Sequence, residues 1–219
     1  MAPPLAPFTE ADLALIREAV TEAEAGTAGE IVPYVVPASD AYASAVWKGG
    51  TFGALVGALI GWAIHHYGDL WGGALFFWMV VPAAAGAALG LLLVGAVPVL
   101  KRLLAGDELI DLRTRRRAAL AFLDEEVFRT RDRTGILLFV SLFEHRVVVL
   151  GDSGINQKVE AEEWDALVRR AAEGIRAGRP GAALAEAVKA CGQLLAERGV
   201  HIQPADVNEL PDELRRGQT

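Results

Sequence analysis

The stretch between Lys48 and Lys101 constrains the fold most, because Asp69 carries its only formal charge. A membrane-spanning helix needs about 20 apolar residues, and this stretch contains two such segments, one before and one after that aspartate. A soluble domain of this size could hardly bury two helices that are apolar on every side. We therefore predict a two-helix transmembrane hairpin over residues 46–100, rather than a buried hairpin of a soluble protein.

Glycines recur at every fourth position in both predicted spans. Three lie in the first span and two in the second, namely Gly53, Gly57, Gly61, Gly86 and Gly90. Small residues four apart share one helix face and let two helix backbones approach closely. We predict that these faces pack membrane helices, either against each other within the hairpin or against another subunit.

Aromatic and basic residues predict how the hairpin sits in a membrane. Amphipathic rings prefer the boundary between lipid and water, so Trp47, Tyr67 and Trp71 are predicted interface anchors. The turn between the spans contains no lysine or arginine, whereas six basic residues lie within 101–117. Because basic flanks stay on the cytoplasmic side, both termini and the soluble domain are predicted to be cytoplasmic.

The flanks of the hairpin predict one discontinuous α/β domain, made of residues 1–45 and 101–200 and followed by a polar tail, 201–219. Its elements follow in the order helix, strand, hairpin, helix, two strands, two helices. That order predicts three layers, with helices on both faces of a small mixed sheet. The first strand is predicted to run parallel to the second and the third antiparallel, with the first at a sheet edge because Pro33 lacks a backbone donor.

Two helices have marked local signals. Thr9 and Asp12 have the spacing of a capping box at the start of the first helix. The helix after the hairpin is predicted to run from Asp107 to about residue 131. Four apolar residues are predicted to supply much of its buried side, namely Leu112, Ala119, Leu123 and Val127.

The composition excludes several classes of function. The net charge is −7 and no basic stripe alternates with aromatic residues, so nucleic-acid binding is not expected. Cys191 is the only cysteine, so no intramolecular disulfide can form. The sequence contains no phosphate-binding glycine loop, no dinucleotide fingerprint and no zinc-ligand spacing.

Three segments outside the hairpin, 27–32, 133–141 and 144–155, resemble the TPM domain, and 206–211 is also similar. This family includes a thylakoid-lumen phosphatase-like protein linked to photosystem repair. The sequence looks most like the bacterial membrane-protein branch, which carries the same inserted hairpin. The resemblance implies a TPM-like fold at the bacterial inner (cytoplasmic) membrane. It also implies Ca²⁺ or Mg²⁺ binding or phosphatase activity in some members, and LemA-like membrane proteins as partners.

Three carboxylates are predicted to meet at one end of the sheet. Glu30 opens the first strand, Asp132 precedes the second, and Asp152 follows the third, which runs the opposite way. Oxygen ligands on loops suit a hard cation such as Ca²⁺ or Mg²⁺, so these residues are the candidate metal ligands. In the alternative interpretation, Glu30 pairs with Arg133, and Asp152 closes a turn or caps the helix after Ser153.

These observations leave two functions open. The first is an accessory subunit without catalytic residues, held at the lipid bilayer by the hairpin, that binds or stabilises another integral membrane protein or complex. The second is a divalent-metal-dependent phosphatase, in which Arg131 and Arg133 would bind phosphate beside Asp132 and Asp152.

Overall fold

The computed structural model describes residues 8–68, 75–202 and 209–217. The chain is a mixed α/β protein whose described residues form eight helices and four strands. In chain order they are α1 (Glu10–Glu24), β1 (Glu30–Val36), α2 (Ala43–Tyr67), α3 (Leu75–Ala96), α4 (Pro98–Ala105), α5 (Asp107–Asp124), β2 (Gly135–Ser141), β3 (Arg146–Gly151), α6 (Ser153–Asn156), α7 (Ala161–Arg176), α8 (Pro180–Glu197) and β4 (Arg215–Arg216). The chain divides into an α/β unit, Met1–Asp40 with Leu112–Thr219, and a hairpin unit, Ala41–Asp111.

The α/β unit contains one mixed sheet with the strand order β3-β2-β1-β4. β1 runs parallel to β2 with Glu30 opposite Gly135, and β3 runs antiparallel to β2 with Gly151 opposite Ile136. Both predicted strand directions are thus confirmed. Every residue of β1 and β2 is buried, which explains their continuous apolar sequence.

The predicted edge position of β1 is wrong, because β4 pairs with it at Tyr34 and Val35. The carbonyl of Val35 accepts a hydrogen bond from the amide of Gly217 at 3.0 Å. The backbone nitrogen of Pro33, two residues earlier, points to the same side of the strand. Its missing hydrogen-bond donor therefore lies just before the residues of β1 that pair with β4. The amide of Ile31, on the same side again, donates to Oε1 of the Glu24 carboxyl group at 2.9 Å. A strand can therefore tolerate a proline here without lying at the edge.

Alternate residues of the strands contribute to two separate cores. Ile31, Val35 and Leu138 belong to a cluster with apolar residues of α1, α7 and α8. Val32 and Phe139 belong to a second cluster, with two alanines of α5. At the start of α1 the predicted capping box is confirmed, since the side chain of residue 12 accepts from the amide of residue 9 at 2.8 Å.

The predicted course of α5 is wrong in two respects. The helix ends at Asp124, and the chain turns at Glu126, whose φ is +53°. Its buried side carries small residues, Ala118 and Ala121 among them, whereas three of the four residues predicted to be buried are exposed, namely Leu112, Ala119 and Leu123. Small side chains let a helix approach a sheet closely, and this close approach determines which face is buried.

The hairpin unit contains two helices that are long and apolar enough to cross a membrane, Ala43–Tyr67 and Phe76–Ala96. Both expose most of their apolar side chains. Pro82 lies inside α3, and a second proline, Pro98, begins the short helix α4 at a position where its missing amide hydrogen costs nothing.

Candidate functional site

The helices α2 and α3 approach each other through their glycines. A Cβ atom added to Gly53 would overlap the carbonyl oxygen of Gly86, and one added to Gly57 would overlap that of Pro82. Gly90 makes the same kind of contact with a backbone carbonyl of α2. The structure thus brings the predicted glycine faces together inside the hairpin, at a separation that no larger residue permits.

Gly61 faces a carbonyl group that the proline of α3 affects directly. Pro82 has no amide hydrogen, so the carbonyl of Trp78, four residues earlier, lacks its usual helical donor. A side chain at Gly61 would overlap this oxygen. The α-hydrogen of Gly61 therefore points at the oxygen and forms a weak C–H···O contact, which compensates in part for the missing helical bond.

Large apolar side chains are exposed along the outer faces of α2 and α3, including Phe52, Leu59, Phe77 and Leu92. A continuous apolar surface of this extent is the kind that lipid or another protein covers. Two predicted interface anchors, Trp47 and Tyr67, are also exposed, near the start and at the end of α2. The third, Trp71, lies outside the described residues.

At one end of the sheet the structure places Glu30 and Asp152 on either side of Gly135, and Asp132 in the loop that leads into β2. The amide of Asp152 donates to the carbonyl of Gly135, which lies opposite Glu30. Asp152 caps α6 by accepting from the amide of Ser153 at 2.6 Å, and its other oxygen lies 2.8 Å from Nε of Arg133. The cap was one of the predicted alternatives and is confirmed.

Glu30 does not pair with Arg133, and this predicted pair is wrong. Its two oxygens accept hydrogen bonds from the backbone amides of Glu209 and Leu210, at 3.1 and 3.2 Å. The carboxylate therefore fastens the C-terminal segment to the start of β1. The predicted polar tail 201–219 is bound at this point, and it also supplies the edge strand β4.

The structure does not assemble the predicted metal ligands Glu30, Asp132 and Asp152 into a metal-binding group. Within residues 8–68, 75–202 and 209–217, no three His, Cys, Asp or Glu side chains could hold a metal ion together. Asp132 lies 3.3 Å from Arg131 and is partly exposed, and the other two carboxylates bind an arginine or backbone amides. Each of the three carboxylates thus already contacts groups of the protein.

The loop that carries Arg133 is held tightly. Arg133 has a φ of +56°, which is unusual for a residue other than glycine. Its carbonyl accepts from the amide of Gly154 at 3.0 Å, and a Cβ atom at Gly154 would overlap the carbonyl of Asp132. Strain of this kind persists only where the surroundings fix the backbone. The Arg133–Asp152 pair is therefore a built feature of this end of the sheet.

A second polar cluster, which the sequence patterns did not predict, lies at the opposite end of the sheet. Glu144 is buried and accepts from the amide of Ser39 at 2.8 Å and from the hydroxyl of Ser141. The two serine hydroxyls are 2.8 Å apart. One pattern in the sequence could have indicated this cluster. Ser39 follows β1 and Ser141 ends β2, and polar residues at the carboxyl ends of parallel strands often lie together. Here the cluster fastens two loops.

Glu24 predicts a measurable dependence of stability on pH. Burial raises the pKa of its carboxyl from 4.5 to about 8, with smaller contributions from the charges of Glu30 and Asp212 and an opposing one from the Ile31 amide. The folded state keeps a proton that the unfolded state loses, so the free energy of unfolding should fall as pH rises from 4.5 to about 8. The melting temperature of detergent-solubilised protein, measured across this range, checks this expectation.

Glu24→Gln provides the matched control for this experiment. Glutamine keeps an oxygen for the Ile31 amide and cannot ionise, so its melting temperature should vary less between pH 5 and pH 8 than that of the wild type. Parallel profiles for the two proteins would show that Glu24 does not cause the pH dependence.

The sequence matches no protein-family model and no curated protein. Among solved structures, the chain is similar to the NMR structure of the BA42 protein from the psychrophilic bacterium Bizionia argentinensis. The TM-score is 0.60 and the sequence identity 18%, over 99% of this chain and 100% of that chain. At this identity, the likeness shows a shared fold.

Proposed function

We propose that the protein is a membrane-anchored accessory subunit of the TPM type. In this proposal the hairpin spans the bacterial inner membrane, both termini and the α/β unit lie in the cytoplasm, and the protein binds or stabilises another integral membrane protein, with a LemA-like protein as the first candidate. The observation that carries the proposal is the hairpin itself, with its glycine faces packed together and its outer faces apolar and exposed.

The α/β unit supports the TPM assignment. The similar segments 27–32, 133–141 and 144–155 form the start of β1, the strand β2 with its preceding loop, and the strand β3 with α6. They are therefore neighbours in one sheet. The two clusters on opposite sides of this sheet support a three-layer arrangement with helices on both faces.

The carboxylates support an interaction role more than a catalytic one. Glu30 is occupied by two backbone amides, and Asp152 by an arginine and a helix amide. A general acid, base or metal ligand needs a group that can reach the substrate or ion. Both side chains instead fix the positions of other parts of the chain.

In this proposal the membrane partner binds the outer faces of the hairpin. The glycine faces contact each other, so they are already covered within the hairpin. Leu59 on α2 and Leu92 on α3 are among the most exposed apolar residues. In lipid, helices associate through packing and hydrogen bonds rather than hydrophobic burial, so shape at such positions determines the choice of partner.

Isolation of the tagged full-length protein in mild detergent, followed by mass spectrometry, tests the proposal. We expect one integral membrane protein to co-purify in a fixed ratio and to cross-link to a photoreactive residue placed at Leu59 or Leu92. The same residue placed at Glu162, which is exposed on α7, controls for non-specific capture. Purification of the protein alone, without a cross-linked membrane partner, would contradict an accessory role.

A metal-dependent phosphatase is the second candidate, favoured by one observation. Two basic and two acidic side chains lie at the same end of the sheet, in the pairs Arg133–Asp152 and Arg131–Asp132. Phosphate hydrolysis by the purified protein with Mg²⁺ or Ca²⁺ tests this candidate. Activity that disappears in Asp152→Asn, while the melting temperature stays close to that of the wild type, would favour the phosphatase over the accessory subunit.

A further inference from the structure

The exposed face of α5 carries apolar residues that the core does not use. Leu112, Leu120 and Leu123 are 45%, 52% and 59% exposed. At about 100° of rotation per residue, Leu123 lies about 20° and Leu120 about 80° from Leu112 around the helix axis. The buried residues Ala118 and Ala121 lie on the opposite side. The helix therefore has two apolar faces, and only one of them packs against the sheet.

From Leu112 onward this face is positively charged, whereas Glu108, one turn earlier, is exposed and lies about 40° from Leu112 on the side away from Arg116. From Leu112 to Leu123 the charged residues are four arginines, and no acidic residue occurs, although the whole chain has a net charge of −7. Arg116 is exposed and lies about 40° from Leu112 by the same rotation, between the leucines. Arg113, at the border, pairs with Asp40 at 2.9 Å. Apolar residues mixed with arginines are typical of helices that lie in a membrane interface.

We infer that this face of α5, defined by Leu112, Arg116, Leu120 and Leu123, binds the surface of a bilayer that contains anionic phospholipids. Charge complementarity favours this occupant, since lipid phosphates attract the arginines and the acyl boundary covers the leucines. A second copy of the chain would place arginines against arginines in a two-fold contact. The inference rests on the proposed insertion of the hairpin.

A short stretch of chain connects this face to the second candidate span. The second candidate span ends at Ala96, α4 follows after one residue, and α5 begins at Asp107. Leu112 is thus only 16 residues beyond the span, and a short tether raises the effective concentration of the surface at the helix. Val99 and Leu103 of α4 are exposed as well, and Lys101 and Arg102 lie between them. The first turns of α5 separate this mixture of apolar and basic residues from Leu112 and carry the acidic residues Asp107, Glu108 and Asp111.

Single-cysteine labelling of the full-length protein can test the inference. Cys191 is fully buried, and burial raises the pKa of its thiol to about 12, so it should not react with a thiol reagent. Cysteines placed one at a time at Leu120, Leu123, Leu59 and Glu162 carry an environment-sensitive fluorophore. The proteins are reconstituted in phosphatidylglycerol–phosphatidylethanolamine vesicles that contain a spin-labelled quencher lipid, or in phosphatidylcholine vesicles with the same quencher.

We expect strong quenching of the hairpin label at Leu59 in both lipids and almost none of the α7 label at Glu162. Labels at Leu120 and Leu123 should be quenched in the anionic vesicles. That quenching should fall at least about twofold in neutral vesicles or at 1 M salt, where the Debye length is about 3 Å. Arg116→Glu should lower quenching at Leu123 by a similar factor. Arg169→Glu, the same charge change on the exposed side of α7, should leave it unchanged.

Each of the other outcomes contradicts either this inference or the proposed membrane insertion. Quenching at Leu59 without quenching at Leu120 and Leu123 in anionic vesicles would overturn the inference and leave the proposed function standing. Absence of quenching at Leu59 would overturn the proposed membrane insertion, and this inference with it. The α5 labels could instead be protected from the quencher lipid, and this protection could disappear when the protein is diluted in excess lipid. That result would identify a second copy as the occupant and overturn the lipid assignment.

Discussion

Gly57→Leu should destroy the packing of α2 against α3 and lower the stability of the hairpin unit by about 3 kcal/mol or more. The Cβ atom would overlap the carbonyl oxygen of Pro82 and would lie 2.7 Å from its carbonyl carbon and 3.1 Å from the Cα of Ala83. These are backbone atoms, so a rotamer change cannot relieve the overlap. The helix α3 would have to move as a whole, and the neighbouring glycine contacts would be lost with it.

Gly95→Leu is the matched control for this substitution. Gly95 also lies in α3, but no atom lies within 4 Å of a Cβ added there. Leucine also has the higher helix propensity, so this protein should be as stable as the wild type. The transition temperatures of the wild type and of both variants are measured from thermal aggregation in mild detergent, followed by size-exclusion chromatography. Equal transition temperatures for the two variants would refute the close glycine contact.

The sequence predicted the elements whose signals are local. The capping box at Thr9 depends on residues three apart, and the candidate spans depend on continuous apolar runs. The directions of β1, β2 and β3 followed from a short turn and a long connection. In each case the deciding interactions involve neighbouring residues or a single stretch of composition.

The predictions were wrong where contacts between residues far apart in the sequence determine the structure. On α5, both faces carry apolar residues, and periodicity alone could not show that the alanine face packs on the sheet. The strand β4 consists of Arg215 and Arg216, which have no strand pattern of their own, and it forms because β1 offers an unpaired side. Long-range pairing of this kind leaves little trace in the local sequence.

The same difference between local and long-range signals applies to the candidate site. The placement of Glu30 and Asp152 at one end of the sheet followed from strand order, but their partners did not. Arg133 pairs with Asp152 because a left-handed turn directs the backbone there, and Glu30 accepts amides that come from almost the other end of the chain. Glu144 was missed because a glutamate in a tight turn is usually exposed.

Gly135→Ala should destabilise the α/β unit by about 3 kcal/mol or more. The added Cβ would overlap the carbonyl oxygen of Val127 and lie 3.0 Å from its Cγ1. Gly135 begins β2 between Glu30 and Asp152, so movement of its backbone would also disturb the bond from the Asp152 amide. Denaturant unfolding of the detergent-solubilised protein, with hydrogen exchange of β2, measures both effects.

Gly26→Ala distinguishes this steric effect from a general intolerance of alanine at glycine positions. A Cβ atom at Gly26 would lie 3.6 Å from the carbonyl oxygen of Ala23, an ordinary van der Waals contact. Alanine there restricts the unfolded chain, so stability should stay unchanged or rise by about 0.4–1 kcal/mol. If Gly135→Ala and Gly26→Ala unfold at the same denaturant concentration, the start of β2 is not held against Val127. In that case the position of the Arg133–Asp152 pair would be set by the α6 cap alone.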